Sequence, residues 1–324
     1  MNTINYGEAL RDAFTYLLEN FPEVFVIGQG LWSPWYVGNS MTDLDKLFGI
    51  ERVIDTPVSE SACTGAAIGA SLTGSRPIIV HPRIDFMLYA MDSIVNQAAK
   101  WSHMTGGQAS PNVTIRGIVN RGGEQGAQHS QSLHAWFAHI PGLKVVMPYS
   151  VSDARDLLIA SVLSDHPVVF IDDRWLYGEE DSLSEYSNIS LSDIKPRKIS
   201  SGSDITIVSS SYSSKVAKDA ASTLSNHNIS VDHFDLRVIS QINYEEIIES
   251  VINTGSLFVV DGGWGPCGVS AEIIASVCEN ISPTQLKQKP QRVTLPFAPA
   301  PTSRALEKIY YFDHNTIVNR VLGK

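Results

Sequence analysis

The sequence predicts an α/β protein of two domains, each built on a mostly parallel sheet flanked by helices. The first observation behind this prediction is that short apolar runs, typical of strands buried on both faces, alternate with helical patterns through most of the chain. The second is size and composition. The 324 residues are 43% hydrophobic and 18% charged, which suits two soluble domains with substantial cores.

The predicted helices and strands follow one another in chain order. In the first part they are a helix over 5–18, a strand over 24–28, a helix from about 60 to 73, a strand over 77–80, a helix over about 85–101, strands over 113–119 and 145–147, a helix over 152–163 and a strand over 168–172. After residue 204 they are strands over 205–209, 230–234 and 257–260 and helices over 213–224, 244–252 and 268–277. Residues 178–203 interrupt the alternation, since they are acidic and then serine-rich. We therefore predict a first domain over 1–185, a linker over 186–203 and a second domain over 204–324.

The composition argues against several classes of partner. The formal net charge of −10 disfavours nucleic acid and anionic membrane surfaces. Residues 1–8 lack a basic start followed by an apolar core, and no apolar run approaches the roughly 20 residues that span a bilayer, so we expect neither a signal peptide nor a membrane span. Cys63, Cys267 and Cys278 lie outside any CxxC or Cys/His metal spacing, which indicates a reduced, cytoplasmic compartment and no metal site.

A carboxylate follows a short predicted strand in the segment Asp55-Thr56-Pro57-Val58-Ser59-Glu60 and opens a helix of small residues. In an open parallel sheet, ligands bind at the carboxyl ends of the strands, so a ligand bound there would meet Glu60. In the alternative, structural interpretation, Ser59 caps the helix and Glu60 interacts with the helix dipole. For a glutamate taken at random the structural role is more frequent, because most acidic residues lie at the surface.

A second candidate is the glycine-rich loop that runs from Gly122 to His129. Glycines allow backbone to approach a ligand, and histidine exchanges protons near neutral pH. We expect His129 at or near a helix start, although a solvated surface loop fits the pattern equally well. His134 and His139 follow five residues apart, which is not the spacing of a zinc-binding helix, so we interpret both as structural.

Two further patterns are weaker. Phe86, Tyr89 and Trp101 place aromatic rings along the helix after Pro82, where core packing is the more frequent explanation. The run VDGGW over 260–264 lacks the GxGxxG order, and the sequence contains no GxxxxGK[ST]. We interpret that run as a tight turn between a strand and a helix.

In this order, these segments resemble the beta subunit of the decarboxylating first component of 2-oxo acid dehydrogenase complexes, of the pyruvate, branched-chain and acetoin type. The resemblance covers nearly the whole chain, and its ordered series is far more specific than any single segment. Its marks are Asp55-Thr56-Pro57 with Glu60, Phe86, Ala90-Met91-Asp92 with Asn96, Gln128-His129-Ser130, Pro141-Gly142-Leu143-Lys144-Val145-Val146 with Pro148, His166-Pro167-Val168, Gly262-Gly263-Trp264, and Leu295-Pro296 with Ala298-Pro299-Ala300-Pro301. It implies a pyrimidine-binding domain followed by a transketolase-type C-terminal domain.

The resemblance implies roles for five residues toward thiamin diphosphate and substrate. Glu60 matches the glutamate that hydrogen-bonds the aminopyrimidine ring, where a carboxyl group shielded from water shares a proton and favours the imino tautomer. The exocyclic nitrogen then removes the thiazolium proton, and the cofactor is the electron sink for carbon dioxide loss. Phe86 matches the aromatic residue packed against the pyrimidine. His129 matches the histidine that assists substrate binding and acyl transfer, and Val58 and Pro82 match positions that contact the ring.

The resemblance also implies partner chains. The family's diphosphate and Mg²⁺ site, a GDG followed by asparagines, belongs to the alpha subunit, and this sequence contains no GDG. Because a diphosphate needs a metal and backbone donors, we expect this chain to bind the cofactor poorly alone. The implied assembly is an alpha-2 beta-2 heterotetramer with active sites at alpha–beta interfaces. The implied substrate is a pyruvate-like 2-oxo acid, and the implied acceptor is the lipoyl group of an acyltransferase.

Some positions depart from the family pattern. Gln29 and Tyr89 stand where many relatives carry acids thought to help a proton path between paired active sites, while Asp92 is retained. Ser164 and His166 stand where some relatives use Asp and Asn near a potassium ion, so we assign no metal there.

Two other functions share parts of this pattern. Half of a split transketolase, or a related ketol transferase, would have the same domain order. A non-catalytic assembly subunit would have the same fold. The sequences of residues 56–60 and 128–130 favour the dehydrogenase. The presence of Glu60, Phe86 and His129 counts against a non-catalytic subunit.

Overall fold

The computed structural model of the chain describes residues 3–183, 185, 186 and 188–323. These residues form two units, one over 3–120 and 136–194 and the other over 121–135 and 195–323. Up to residue 194 the strands are β1 (Thr3–Asn5), β2 (Val24–Gly28), β3 (Tyr36–Asn39), β4 (Val53–Asp55), β5 (Arg76–His81), β6 (Thr114–Val119), β7 (Lys144–Val146), β8 (Val168–Asp173) and β9 (Glu180–Ser182). The helices are α1 (Tyr6–Asn20), α2 (Leu44–Phe48), α3 (Glu60–Ser71), α4 (Ile84–Met87), α5 (Trp101–Met104), α6 (His134–Ala138) and α7 (Val151–Val162).

Six parallel strands form the main sheet of the first unit, in the order β4-β2-β5-β6-β8-β7. All six residues of β6 and of β8 are buried, as expected of strands that helices cover on both faces. The predicted α/β class is therefore confirmed. Since the strands run in one direction, the residues that follow β2, β4 and β5 lie along one edge of the sheet, where ligands bind in such folds.

Helix α1 begins with a capping box. Asn5 Oδ1 accepts a hydrogen bond from the Glu8 backbone N–H at 2.9 Å, and Glu8 Oε2 accepts one from the Asn5 N–H at 2.8 Å. Two backbone donors at the helix start are thereby satisfied. Further along the helix, Leu10, Phe14 and Leu17 are completely buried, and the helix packs against α7.

A buried ion pair joins the neighbouring strands β6 and β8. Arg116 donates from Nε and Nη2 to the two carboxylate oxygens of Asp172, both at 2.9 Å, and neither side chain is exposed. Tyr177 Oη donates to the same carboxylate. The pair stabilises the folded sheet only while both charges are present, because one buried charge without its partner destabilises the protein.

We expect Asp172→Ala to lower the free energy of unfolding by about 3–5 kcal/mol, because it leaves the Arg116 guanidinium buried without its counter-charge. Urea denaturation followed by circular dichroism measures this loss. Tyr177→Phe is the matched control, since it keeps the ion pair and should cost only about 1 kcal/mol. Equal losses in the two variants would contradict the importance of the charge pair.

The segment after Pro82 is not the single regular helix predicted over 85–101. It consists of α4, a 3-10 turn (Leu88–Ala90), a π-helical segment (Ser93–Ala98) and α5. The buried residues recur three or four apart, and this spacing does not distinguish α-helical from 3-10 or π-helical turns. Tyr89 is 73% exposed, so it is not a core residue.

Five strands form the sheet of the second unit. They are β10 (Arg197–Ser200), β11 (Ile205–Ser209), β12 (Val231–Asp235), β13 (Leu257–Trp264) and β14 (Gln291–Leu295), in the order β10-β12-β11-β13-β14. Among the described strands of this sheet, only the β10–β12 pair is antiparallel. The helices are α8 (Tyr212–Ser225), α9 (Glu245–Thr254), α10 (Val269–Asn280), α11 (Arg304–Tyr310) and α12 (His314–Val321). In this unit the core includes Ile207, Phe258 and Ile317.

This division differs from the predicted domain boundaries in two places. The stretch interpreted as a linker, 186–203, contains β10, a short polar strand at the edge of the second sheet that has one strand neighbour only. Residues 121–135, placed in the first domain by their position in the chain, belong to the second unit. Within the described residues, no helix combines the length and apolar character needed to cross a bilayer.

Strand β13 is also longer than predicted and includes Gly262 and Gly263, which were interpreted as a turn. It continues because Trp264 still pairs with Leu295 of β14. A Cβ on Gly263 would lie only 3.0 Å from Cε1 of His134, so glycine allows another segment to approach the strand here.

Candidate active site

Helix α3 begins with Glu60 at the carboxyl edge of the first sheet. Residues 56–59 connect it to the end of β4. Ser59 is the N-cap residue but makes no side-chain capping bond, so the capping role considered for it is not observed. Glu60 is half-buried in the first helical turn, where the helix dipole favours a carboxylate.

Glu60 lines a small pocket with residues from the ends of three strands. The lining comprises Gly28 and Gln29 from the end of β2, Thr56, Pro57, Ser59, Glu60 and Cys63 from the β4–α3 connection and helix, and Ile79, Val80, His81 and Pro82 from the end of β5. The structure thus brings together Glu60 and Pro82, two of the predicted cofactor-binding residues. The lining thus carries one carboxylate, that of Glu60, among apolar side chains and neutral polar groups.

Gly28 and Asp55 shape this pocket. A Cβ on Gly28 would lie 2.4 Å from the carbonyl oxygen of Val80, so only glycine permits the close approach of β2 and β5. Asp55 Oδ1 accepts a hydrogen bond from the backbone N–H of Gly30 at 2.6 Å. The carboxylate that begins the Asp55-Thr56-Pro57 motif therefore holds the turn after β2.

Val58 and Phe86 do not line the pocket within the described chain. Val58 lies on the turn before Glu60 with 67% of its side chain exposed. Phe86 lies in α4 and is half-buried. Their predicted contact with a cofactor ring remains a prediction.

A buried histidine that the sequence analysis did not single out lines the same pocket. His81 ends β5 with 2% of its surface exposed, and its Nε2 lies 3.2 Å from Oγ1 of Thr64. Thr64 is one helical turn after Glu60 on α3. Burial lowers the pKa of His81 to about 4, so the ring is neutral at pH 7. Its position at a strand end was the signal available in the sequence.

The depressed pKa of His81 makes stability depend on pH. An unfolded histidine titrates near 6.5, so below that pH the unfolded chain binds more protons than the folded chain. Above pH 6.5, His81 therefore does not reduce the free energy of unfolding. As the pH falls from 6.5 to about 4, the free energy of unfolding decreases. At 1.36 kcal/mol per pH unit, this loss is about 3 kcal/mol.

We expect His81→Leu to remove this part of the acid sensitivity. Urea unfolding between pH 7 and pH 4 measures it as a shallower decline of the free energy of unfolding with falling pH. His103→Leu replaces an exposed histidine of the same unit and should leave the decline unchanged. An identical pH dependence in His81→Leu and the natural protein would contradict the assignment.

His129 lies in a turn and not at a helix start. Its backbone N–H donates to the carbonyl oxygen of Gly126 at 3.3 Å, and α6 begins only at His134. The expected helix start at or near His129 was wrong, because residues 130–133 form no helical turn and α6 begins five residues after His129. His129 is half-buried and belongs to the second unit, whereas the other four predicted site residues belong to the first.

Gln29, Ser164 and His166, which depart from the family pattern, lie at two different places in the first unit. Gln29 Nε2 donates to Tyr36 Oη at 3.0 Å. Ser164 and His166 line a cavity of about 360 Å³ in the first unit. Among the residues described, no group of three or more His, Cys, Asp or Glu side chains is placed to hold a metal ion.

Comparison with known proteins defines the class. The family model described as transketolase, pyrimidine binding domain matches residues 2–179, and the model described as transketolase, C-terminal domain matches residues 195–317. A solved split-gene transketolase, described as an inactive beta4 tetramer, has a TM-score of 0.77 and 20% identity, and the match covers 99% of this chain and 97% of that one. The chain therefore has the two domains and the fold of a transketolase-like protein.

Sequence relatives narrow the class further. The pyruvate dehydrogenase E1 component subunit beta of Rickettsia bellii is 37% identical over 98% of this chain and 97% of its own length. The acetoin:2,6-dichlorophenolindophenol oxidoreductase subunit beta of Cupriavidus necator is 36% identical over 93% of this chain and 91% of its own length. The chain belongs to the family of 2-oxo acid dehydrogenase E1 beta subunits, as its motifs indicated.

Proposed function

We propose that this chain is the beta subunit of a thiamin-diphosphate-dependent dehydrogenase that decarboxylates a pyruvate-like 2-oxo acid and transfers the acyl group to a lipoyl carrier. The observation that carries the proposal is the pocket at the carboxyl edge of the first sheet, where Glu60 is the only carboxylate among the lining residues. Family membership over nearly the full chain supports it.

In this proposal Glu60 holds a proton against the ring nitrogen of the aminopyrimidine. Pro82 in the same pocket contacts the ring, and Val58 and Phe86 reach it in the assembled enzyme. The exposed apolar side chain of Val58 suits burial against such a ring, which removes it from water. Thiamin diphosphate, when bound, supplies the electron sink for loss of carbon dioxide.

His129 is the second proposed catalytic residue. It binds the substrate and assists acyl transfer to the lipoyl group, as the motif Gln128-His129-Ser130 implies. A histidine suits this work because its imidazole ring can both donate and accept a hydrogen bond. The turn geometry and positive-φ glycines around it let the backbone approach a ligand closely.

The proposal requires partner chains. An alpha subunit supplies the diphosphate and Mg²⁺ site, a second beta subunit completes an alpha-2 beta-2 assembly, and a lipoyl acyltransferase accepts the product. The description of the split-gene transketolase as inactive in a beta4 tetramer supports the need for a complementary chain. The free thiols of Cys63, Cys267 and Cys278 agree with the proposed reducing, cytoplasmic compartment.

The alternative, half of a split ketol transferase, is supported by the same solved structure. Its 20% identity is well below the 37% found for the pyruvate dehydrogenase relative, so we favour the dehydrogenase. The two differ in their acceptor, since a ketol transferase passes its fragment to an aldose and does not need a lipoyl carrier.

Co-purification with its natural partners tests the proposal. We expect an alpha chain to be recovered with this chain, and the complex to release carbon dioxide from a 2-oxo acid when thiamin diphosphate and Mg²⁺ are added. The isolated chain should release none. Ketol transfer between sugar phosphates, without carbon dioxide release from any 2-oxo acid, would overturn the proposal.

A further inference from the structure

The loop over 121–135, which carries His129, is bound to the second unit near its beginning. The Arg121 guanidinium lies over the Tyr212 ring, with Cζ 5.9 Å from the ring centroid, and Nη1 is 3.5 Å from the carbonyl oxygen of Gly262. The backbone N–H of Gly122 donates to Tyr311 Oη at 3.3 Å. The first residues of the loop are therefore fixed to β13, α8 and the end of α11.

Further along, the loop is bound to the start of α11. The Glu124 backbone N–H donates to Glu307 Oε1 at 2.7 Å, and Glu124 Oε1 accepts a hydrogen bond from the Arg304 N–H at 3.1 Å. Gly126 packs so closely that a Cβ there would lie 2.3 Å from Cγ2 of Thr302. The segment before His129 is thus in contact with α11 and with a residue just before it.

At the other end of the loop, a Ser–His–Asp arrangement is buried in the second unit. His134 Nε2 lies 3.0 Å from Asp261 Oδ1, and His134 Nδ1 lies 3.2 Å from Ser132 Oγ. The three side chains are only 3%, 5% and 6% exposed for His134, Asp261 and Ser132. Because a carboxylate only accepts, His134 donates from Nε2 to Asp261.

Asp261 is a rigid anchor for this arrangement. It lies within β13, and its oxygens also accept hydrogen bonds from the backbone N–H groups of Gly263 at 2.9 Å and Ser270 at 3.0 Å. Burial alone would raise the pKa of Asp261, but His134 and these backbone donors lower it to about 2. The carboxylate is therefore charged throughout the physiological pH range.

We propose that His134 and Asp261 are positioning residues that hold the His129 loop in its working conformation. The inference deepens the proposed function, on which the role of His129 rests. The glycines at 122, 123 and 126 leave the loop conformationally free, so it needs attachments on both sides of His129. Ser132 and His134 supply the second attachment, three to five residues beyond the catalytic histidine.

Hydrogen exchange on the assembled complex tests the attachment without reference to activity. We expect His134→Ala to reduce the protection of backbone amides in 126–133 by at least about tenfold, because local opening then lacks a buried anchor. His134→Gln keeps an N–H donor for Asp261 and should restore part of the protection. His233→Ala is the matched control, since His233 is also buried in this unit and bonds Ser209 Oγ at 2.7 Å.

A kinetic split distinguishes positioning from general destabilisation. In His134→Ala, acyl transfer to lipoyl groups should fall about 10- to 100-fold, the usual cost of a misplaced catalytic group. Carbon dioxide release, measured with an artificial electron acceptor that takes up the electrons, should fall less. His233→Ala should lower stability without this split.

Unchanged loop protection in His134→Ala would overturn the proposal. If His134→Ala does not fold, unchanged loop protection in Ser132→Ala would overturn it instead. Loss of loop protection in a complex that acts on no 2-oxo acid would refute the proposed function and leave the attachment standing.

Discussion

Replacing Glu60 with glutamine should slow 2-oxo acid turnover by roughly 10²- to 10⁴-fold, the contribution of a positioned proton-transfer group. Glutamine has nearly the same shape, and Glu60 lies at the first position of α3, so the fold should be unaffected. The amide cannot hold a proton against a ring nitrogen as a carboxyl group does. The rate at which the thiazolium C2 proton exchanges with deuterated solvent in the reconstituted complex measures this step separately from later ones.

Glu51→Gln is the matched control, because Glu51 is an exposed glutamate of the same unit outside the pocket. It should leave both proton exchange and turnover at the natural rate. If proton exchange in Glu60→Gln equalled that of the natural complex, Glu60 would not be the group that activates the cofactor.

Replacing His129 with alanine should reduce acyl transfer to lipoyl groups by roughly 10²-fold, because the group that assists the transfer is lost. Assembly with the alpha chain should remain normal, since His129 lies in a half-buried turn and not in a core. Stopped-flow measurement of lipoyl reduction is compared with carbon dioxide release in the presence of an artificial electron acceptor. This comparison separates the transfer step from decarboxylation.

His139→Ala tests whether the effect is specific to His129. His139 is exposed and directly follows α6, so its loss should change neither rate. A His129→Ala complex that reduced lipoyl groups as fast as the natural one would show that the histidine has another role.

Strands that are buried on both faces could be predicted almost to the residue. Val168–Asp173 and Ile205–Ser209 are buried at every residue, and both lie within one residue of their predicted bounds. Such runs are reliable because helices cover the strands on both sides, so most of their side chains must be apolar.

Elements that depend on tertiary contacts could not be predicted in this way. In the π-helical segment Ser93–Ala98, the buried residues Ile94 and Ala98 lie four apart, as they would on an α-helix. Strand β10 is short and polar, and its pairing with Val231–Asp235 is set by a neighbour more than 30 residues away along the chain. Local pattern carries no information about either feature.

The same distinction, between features set by local pattern and features set by tertiary contacts, applies to the candidate site. Glu60 and Pro82 follow strands at the carboxyl edge of one parallel sheet, and such positions can be inferred from strand order alone. The contact of His81 with Thr64 joins residues 17 apart, and that of His134 with Asp261 joins residues 127 apart. These pairs arise from folding, so no spacing in the sequence marks them.

The most direct test is a structure of the assembled complex with thiamin diphosphate bound. The mechanism requires a Glu60 carboxylate oxygen within hydrogen-bond distance, about 2.6–3.2 Å, of the pyrimidine ring nitrogen, in a pocket closed by the partner chain. A Glu60 side chain that points into bulk solvent, with the pyrimidine bound elsewhere, would contradict it.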